Sequence, residues 1–506
     1  MDQRSRPETD ERIEPADLEV ALRVIGELDR LPTEHPDSIT VQQAAAGLYK
    51  SVKKRRKLEK RRQVLEHDAR ITARTATAAP GRIDDETEGL PLVSETKGAT
   101  AGTLIEPRAC YICKESFHVV DAFYHQLCPD CAAFNHARRD ARTDLSGKRA
   151  LLTGGRAKIG MYIALRLLRD GADTTITTRF PNDAVRRFRA MDDADDWFGR
   201  LHIVGIDLRD PGQVIDLADS VAAKGPLDIL INNACQTVRR SPEAYAPLIQ
   251  AEMEELEPGP VPEIETFARH GEHHLDPAHL EGPGNHRGGK QGEVSEVRPA
   301  AQPAAHWAPT PHAVTALALT AGSADFDLVD SGRAIDAGGL VPDVVDTNSW
   351  IQTVSEVDPI ELLEVQLCNM TAPFILIGRL RQAMASSAAR RTYVVNVSAM
   401  EGQFSRGYKG PGHPHTNMAK AALNMLTRTS AHEMLESDGI LMTAVDTGWI
   451  TDERPHPMKK RLAEDGFHAP LDLVDGAARV YDPIIRGEAG EDIHGVFLKD
   501  YKPSPW

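Results

Sequence analysis

The chain has 506 residues, 41% of them hydrophobic but only 5% aromatic, and a formal net charge of −16. That length allows more than one domain and a sizeable core, while the thin aromatic content implies a globular part diluted by polar segments. The charge argues against a whole-protein surface for nucleic acid or anionic membrane, though a local basic patch remains open.

No apolar run follows the opening charges of MDQRSRPETDERIEPADLEV, and no stretch reads as long and apolar enough to span a membrane. A soluble cytoplasmic protein is therefore expected. Residues 1–100 read as polar with two helices, one over Pro15 to Leu31 and one through QQAAAGLYKSVKKRRKLEKRRQVLEHDA, followed by a linker. The basic run Lys50 to Arg62 has little aromatic interleaving for stacking, so a solvated helix face is the simpler reading than nucleic-acid binding. A helix that binds a protein partner is a further possibility.

Residues 106–140 hold CYICKESFHVVDAFYHQLCPDC, with Cys110 and Cys113 paired at C-x-x-C spacing and Cys128 and Cys131 paired likewise. Each turn aims two thiolates at one centre, and four thiolates satisfy tetrahedral zinc without an open position. The expectation is structural Zn2+ in a small module resembling a treble clef or zinc ribbon, with a short hairpin between the pairs. The second pair lies where a helix through AAFNHARRDAR begins, and its amides favour thiolates. Such a module is also a candidate surface for a protein partner.

Residues 145–237 and 350–506 alternate strands and helices, which predicts an α/β fold with a doubly wound, Rossmann-type parallel sheet. Between them, from Val238 to about residue 350, lies an insertion rich in Pro, Gly, Glu and His, read as a polar low-complexity excursion. Its histidines His270, His273, His274, His279 and His286 lack the fixed helical spacing of a metal site. The strand Arg149 to Leu152 runs into a Gly-rich turn and an amphipathic helix from Ile159, an arrangement that aims a helix N-terminus at a pyrophosphate.

Seven motifs in order resemble the short-chain dehydrogenase/reductase family. TGGRAKIG (Thr153, Gly154, Arg156, Lys158, Ile159, Gly160) resembles its T-G-x-x-x-G-x-G turn, with Lys158 where the middle glycine is expected. IDL places Asp207 and Leu208 at the adenine contact, and NNAC (Asn233, Ala234) resembles N-N-A-G with Cys235 replacing the glycine. CNMTAPF carries Asn369 in the place of the proton-relay asparagine, and VVNVSAMEG resembles the strand of the catalytic serine. HTNMAKAALN resembles Y-x-x-x-K, and VDTGWIT (Thr447, Gly448, Ile450) resembles the loop at the nicotinamide end.

The second strand ends Thr177-Thr178-Arg179 with no carboxylate for the ribose hydroxyls. Arg179, with Arg156 and Lys158 in the turn, suits a 2′-phosphate and favours NADP(H) over NAD(H). What the resemblance implies for catalysis is altered at two of four positions. Lys420 and Asn369 are kept, but Thr416 stands for the tyrosine and Ala399 for the serine, with Ser398 beside it expected to face the other way. An aliphatic alcohol is a poor proton donor-acceptor, so His413, His415 or Tyr408 are the candidate replacements, each otherwise an ordinary loop residue.

Two functions are expected. One is an NADP(H)-dependent oxidoreductase acting on a small carbonyl or alcohol substrate, with the proton handled by His415 or His413 and Lys420. The other is a non-catalytic NADP(H)-binding sensor or scaffold that meets partners through the zinc module and insertion. Apolar faces over Leu362–Ala385 and Thr416–Leu435 resemble those the family pairs across a dimer, so a homo-oligomer is expected.

Overall fold

The computed structural model describes residues 13–28, 30–80, 82, 98–240, 243–267, 340, 345–450 and 453–506. The five insertion histidines lie outside them. Two compact units divide the chain, Met1–Arg70 and Ile71–Trp506. The first is helical: α1 spans Pro15–Leu28 and α2 Pro36–Thr72, its last residues belonging to the second unit. No residue of α1 is buried, and the basic run of α2 is solvated, with Arg62 paired to Glu59 and Glu66 one turn away on either side.

The second unit opens with strands β1 (Thr100–Ala109) and β2 (Ser116–Asp121) and helix α3 (Pro129–Arg139). The hairpin is placed differently from the expectation. Its first strand precedes Cys110 and its turn is the first C-x-x-C itself, because β1 pairs antiparallel with β2 across that knuckle.

Then follow β3 (Arg149–Leu152), α4 (Lys158–Arg169), β4 (Asp173–Thr178), α5 (Pro181–Arg189), β5 (Leu201–Gly205), α6 (Pro211–Ala223) and β6 (Ile229–Asn232). The insertion begins with α7 (Ala246–Met253) and β7 (Glu263–Thr266). Beyond it come α8 (Pro359–Gln366), a π-helical turn (Leu367–Thr371), α9 (Ala372–Ala385), β8 (Thr392–Ser398), α10 (Pro414–Asp438) and β9 (Ile440–Asp446). The chain closes with α11 (His456–Glu464), α12 (Leu473–Glu488), β10 (Phe497–Lys499) and β11 (Lys502–Ser504).

The sheet order is β7-β5-β4-β3-β6-β8-β9-β10-β11, parallel throughout except for β11. Short strands such as Ile229–Asn232, apolar but for the closing Asn232, are buried on both faces, as a parallel sheet covered by helices requires. Ile163 and Leu167 of α4 and Val480 and Ile484 of α12 fill one face; Leu217 of α6, Leu376 of α9 and Met434 of α10 fill the other. This is the expected doubly wound architecture.

Two expectations change. Residues 243–267 of the insertion are ordered structure, since β7 extends the sheet beyond β5 and α7 packs on α5. One helix, the 27 residues Pro359–Ala385, is after all long and apolar enough to cross a membrane. It is the core helix of this layer, with Leu376, Leu380 and Met384 packed beneath α6. The helix also gathers the insertion's ends, because Glu361 Oε1 accepts from Arg239 N at 2.8 Å and from Ser349 Oγ at 2.6 Å.

The cysteine module is fused to the sheet domain. Arg139 of α3 is ion-paired with Asp472 at 2.5 Å and Asp475 at 3.2 Å, and Tyr124 Oη donates to Asp475 at 2.6 Å, all buried. Its apolar residues Phe117, Val120 and Leu127 share one core with Ile450 and Leu471.

Candidate active site and metal centre

The glycine turn leads from β3 into α4 and is locked to the end of β6. Thr153 Oγ1 accepts from the backbone N–H groups of Asn233 and Ala234, both at 3.0 Å. Asn233 Nδ2 donates in return to the carbonyls of Thr153 and Gly154 at 3.1 Å. Gly154 has φ +70°, and a Cβ there would lie 2.9 Å from Ala234 Cα, while one on Gly160 would lie 1.9 Å from Gly154 O. Neither position accepts a side chain. Lys158 adopts φ +53°, the left-handed backbone that a glycine takes without cost, so the departure from the family turn is borne as local strain.

Helix α4 begins after Ala157, whose side chain cannot cap it. A pyrophosphate fits that helix start. Beside it, Arg156 is ion-paired with Asp183 and lies 5.4 Å over the Phe180 ring. Arg179 is exposed, lies 4.9 Å over the Tyr245 ring and donates to Tyr245 Oη at 3.2 Å. Phe180, Asp183 and Tyr245 were not anticipated from sequence. Phe180 follows the predicted strand end directly, whereas Tyr245 sits in an insertion with no readable pattern.

Asp207 is held by Arg209, whose guanidinium donates to both carboxylate oxygens at 2.9 and 2.6 Å. Burial alone would raise its pKa, but the Arg209 contact wins and lowers it, so Asp207 is an ionised acceptor. Leu208 is core, packed within the layer under β5. Arg209 continues to Glu364 at 2.8 Å, which also accepts from Gln236 and Arg239.

Asn369 lies in the π-helical turn, 1% exposed. Both amide atoms are engaged with Gln236, accepting from its N at 2.7 Å and donating to its O at 2.8 Å. Its side chain thus clamps the peptide after Cys235. Lys420, 5% exposed, donates from Nζ to Val397 O at 2.8 Å at the end of β8. Ser398 lies on the strand face that carries Asn396, which donates to Thr427 of α10 at 3.0 Å.

The histidines separate. His413 is the N-cap of α10 at φ +43°; its ring stacks on Trp350 at 4.1 Å and its Nδ1 bonds Trp350 O at 2.8 Å. His415 is 2% exposed, and neither ring nitrogen has a hydrogen-bond partner among the described residues; the Thr237 backbone comes near without reaching that geometry. Burial, then the neighbouring His413, push its pKa below the ordinary imidazole value, leaving it neutral. Thr416 Oγ1 and Ser398 Oγ are likewise buried without partners. Tyr408 is 75% exposed, unlike these buried groups.

The loop after β9 carries Thr447, Gly448 and Ile450. Gly448 has φ +79° and its N–H donates to Asp446 Oδ1 at 2.9 Å, turning the chain across the sheet edge. Thr447 is 9% exposed, and Ile450 points down into the core shared with the cysteine module.

In that module the four sulfurs of Cys110, Cys113, Cys128 and Cys131 lie within 4.8 Å of one another, Cys113 and Cys128 at 3.7 Å. Tetrahedral zinc with bonds near 2.3 Å separates its sulfurs by about 3.8 Å. Cys128 caps α3 and its N–H donates to Cys110 Sγ at 3.3 Å. Burial alone would raise the Cys110 pKa, but that amide and those of Cys113 and Ile112 turn the net shift downward, whereas burial raises the thiols of Cys128 and Cys131. The donor set fits a four-coordinate zinc.

Residues 148–254 match the family model for short chain dehydrogenase. This match spans the first part of the Rossmann-type domain, which is thus similar to the short-chain dehydrogenase family. An uncharacterized protein of Acanthamoeba polyphaga mimivirus is 29% identical over 391 residues, covering 74% of this chain and 71% of that one. A probable oxidoreductase of Streptomyces lividans is 40% identical over 91 residues, 18% of this chain and 29% of its own length. Among solved structures, an NADPH-bound carbonyl reductase from chicken fatty liver is 15% identical with a TM-score of 0.40, covering 72% of this chain and all of that one. A short chain dehydrogenase from Burkholderia cenocepacia in complex with NADP is 19% identical with a TM-score of 0.40, over 70% of this chain and 97% of that one.

Proposed function

We propose that this protein is an NADP(H)-dependent oxidoreductase in which His415 handles the proton at the oxygen of a carbonyl or alcohol substrate. One observation carries the reading. His415 and Thr416, in the first turn of the helix that carries Lys420, and Ser398, next to the residue whose carbonyl Lys420 meets, are buried with polar atoms that have no partner among the described residues. An unpaired buried polar group costs about 1–3 kcal/mol, and such costs gather where a ligand supplies the partner.

Bound NADP(H) would supply the nicotinamide carbon that gives or takes the hydride. The start of α4 would hold its pyrophosphate, Arg156, Lys158 and Arg179 its 2′-phosphate, Asp207 its adenine, and Lys420 its second ribose. Thr416 would donate a hydrogen bond to the substrate oxygen. A neutral His415 would accept the alcohol's proton as hydride leaves and return it in the reverse direction. Four thiolates would hold a structural zinc. Exposed Phe374, Met418 and Met425 on α9 and α10 support reading those helices as a self-association face.

A second reading, a non-catalytic NADP(H) binder, is favoured by Ala399 at the serine position and by Lys420 donating to a backbone carbonyl. The test titrates the protein with NADPH and NADH, then follows absorbance against a panel of ketones, aldehydes and quinones. The oxidoreductase reading expects oxidation of NADPH with at least one of them. Tight NADPH binding with no oxidation, unaltered by His415→Ala, moves the assignment to the second reading. Arg179→Ala narrows the preference for NADPH over NADH about tenfold under either.

A further inference from the structure

The cysteine cluster and the nucleotide edge of the sheet meet at one place. Strand β9 ends at Asp446, and the following loop crosses the carboxyl edge, where open parallel sheets bind their ligands. Tyr111, between Cys110 and Cys113, accepts at Oη from Trp449 N at 3.0 Å. Ile450, 4% exposed, is buried in the same cluster as Cys110 and Cys128. Ile159 of the glycine-turn helix packs against the same cluster, and both isoleucines flank Gly476, where an added Cβ would lie 2.9 Å from Ile450 Cδ1 and 3.5 Å from Ile159 Cδ1.

Knuckle, loop and helix start are therefore in unbroken contact. The adenosine-side groups Arg179 and Asp207 sit at β4 and β5, on one side of the glycine turn; the 447–450 loop and Lys420 sit on the other. A dinucleotide laid across the turn brings its second nucleoside against that loop. Tyr111 has little freedom, because cysteines flank it closely and its own N–H donates to Gln126 O at 2.8 Å.

We infer that a metal held by Cys110, Cys113, Cys128 and Cys131 governs binding of the nicotinamide half of the cofactor, by fixing Tyr111 and through it the 447–450 loop. Tyr111 is a positioning residue, and the metal centre is part of the nucleotide site's support. The inference rests on the NADP(H) reading above.

The test compares zinc-loaded protein, protein stripped by chelation with its metal content measured, and a Tyr111→Phe variant that retains zinc. Each is titrated with NADPH and with 2′,5′-ADP, which carries only the adenosine half, while hydrogen exchange at Trp449 is followed. Stripping and Tyr111→Phe should each weaken NADPH about five- to tenfold and speed exchange at Trp449, leaving 2′,5′-ADP unchanged. Equal weakening of both nucleotides, or a Tyr111→Phe variant with unaltered NADPH affinity and exchange, overturns the inference, as does protein that takes up no metal. Should stripped protein unfold, Tyr111→Phe decides. Should zinc-loaded protein bind no nucleotide, the NADP(H) reading falls and the inference with it, whereas intact nucleotide binding with unchanged exchange at Trp449 overturns the inference alone.

Discussion

The two halves of the sheet treat their family pattern differently. Around β3 to β6, the turn is held by reciprocal hydrogen bonds between Thr153 and Asn233, and the one departure, Lys158, keeps the glycine's backbone angle. Around β8 and α10, the hydroxyls at two positions of that pattern are gone or changed, and buried groups without partners among the described residues sit at Thr416 and one residue away, at Ser398 and His415. A glycine turn suited to phosphate relies on backbone that has a single workable geometry. Proton handling needs only a titratable group within reach, so its residue can move.

Placing a methyl in the first half is the most severe way to break this contrast. Gly160→Ala should cost more than about 3 kcal/mol in chemical denaturation, because its Cβ would meet Gly154 O at 1.9 Å and only backbone can yield. The second half should instead lose chemistry while keeping its fold. His415→Ala is expected to lower turnover about 100-fold or more with NADPH affinity retained, a split that steady-state kinetics and titration would reveal.

Acid sharpens the comparison through sign. Burial, helped by the Arg108 charge, pushes His125 down to about 3, and His415 and His468 are also lowered by burial. The unfolded chain takes those protons first, so their contribution is complete above about pH 6.5 and is lost as pH falls through each lowered value, which for His125 is about 3. Each adds a slope of up to about 1.4 kcal/mol per pH unit, readable from denaturation midpoints across that window. In the first half His202 runs the other way. Its hydrogen bond to Asp173 raises its pKa, so its smaller, half-exposed contribution is present in acid and fades as pH rises through that raised value. The mildest test is Lys158→Gly, which should stabilise by about 0.5–1 kcal/mol by relieving the φ +53° residue, measured as a shift in denaturation midpoint.

The strand Arg149–Leu152, its glycine turn and the C-x-x-C pairs were legible because each encodes its geometry locally, in apolar runs, glycines or ligand spacing. Tyr245 beside Arg179 was not, since nothing in Pro-, Gly- and Glu-rich sequence announces that β7 will pair with β5. Sequence also left His413 and His415 as equals. Tertiary contacts separate them: Trp350 occupies the first, while the second is buried with its ring nitrogens unpaired. The cysteine module's attachment depended on Arg139 meeting Asp472 and Asp475 more than 300 residues away, beyond any local pattern.

The carboxylate of Glu361 has a consequence for how this chain can vary. By bonding both Arg239 and Ser349, it pins the two ends of a hundred-residue detour to a single oxygen. The span to be bridged is then the same whatever the detour contains, and doubling a loop's length costs only about 0.6 kcal/mol in closure entropy. Glu361 makes that joint a fixed frame, inside which β7 stays a strand of the parent sheet and Tyr245 a partner of Arg179.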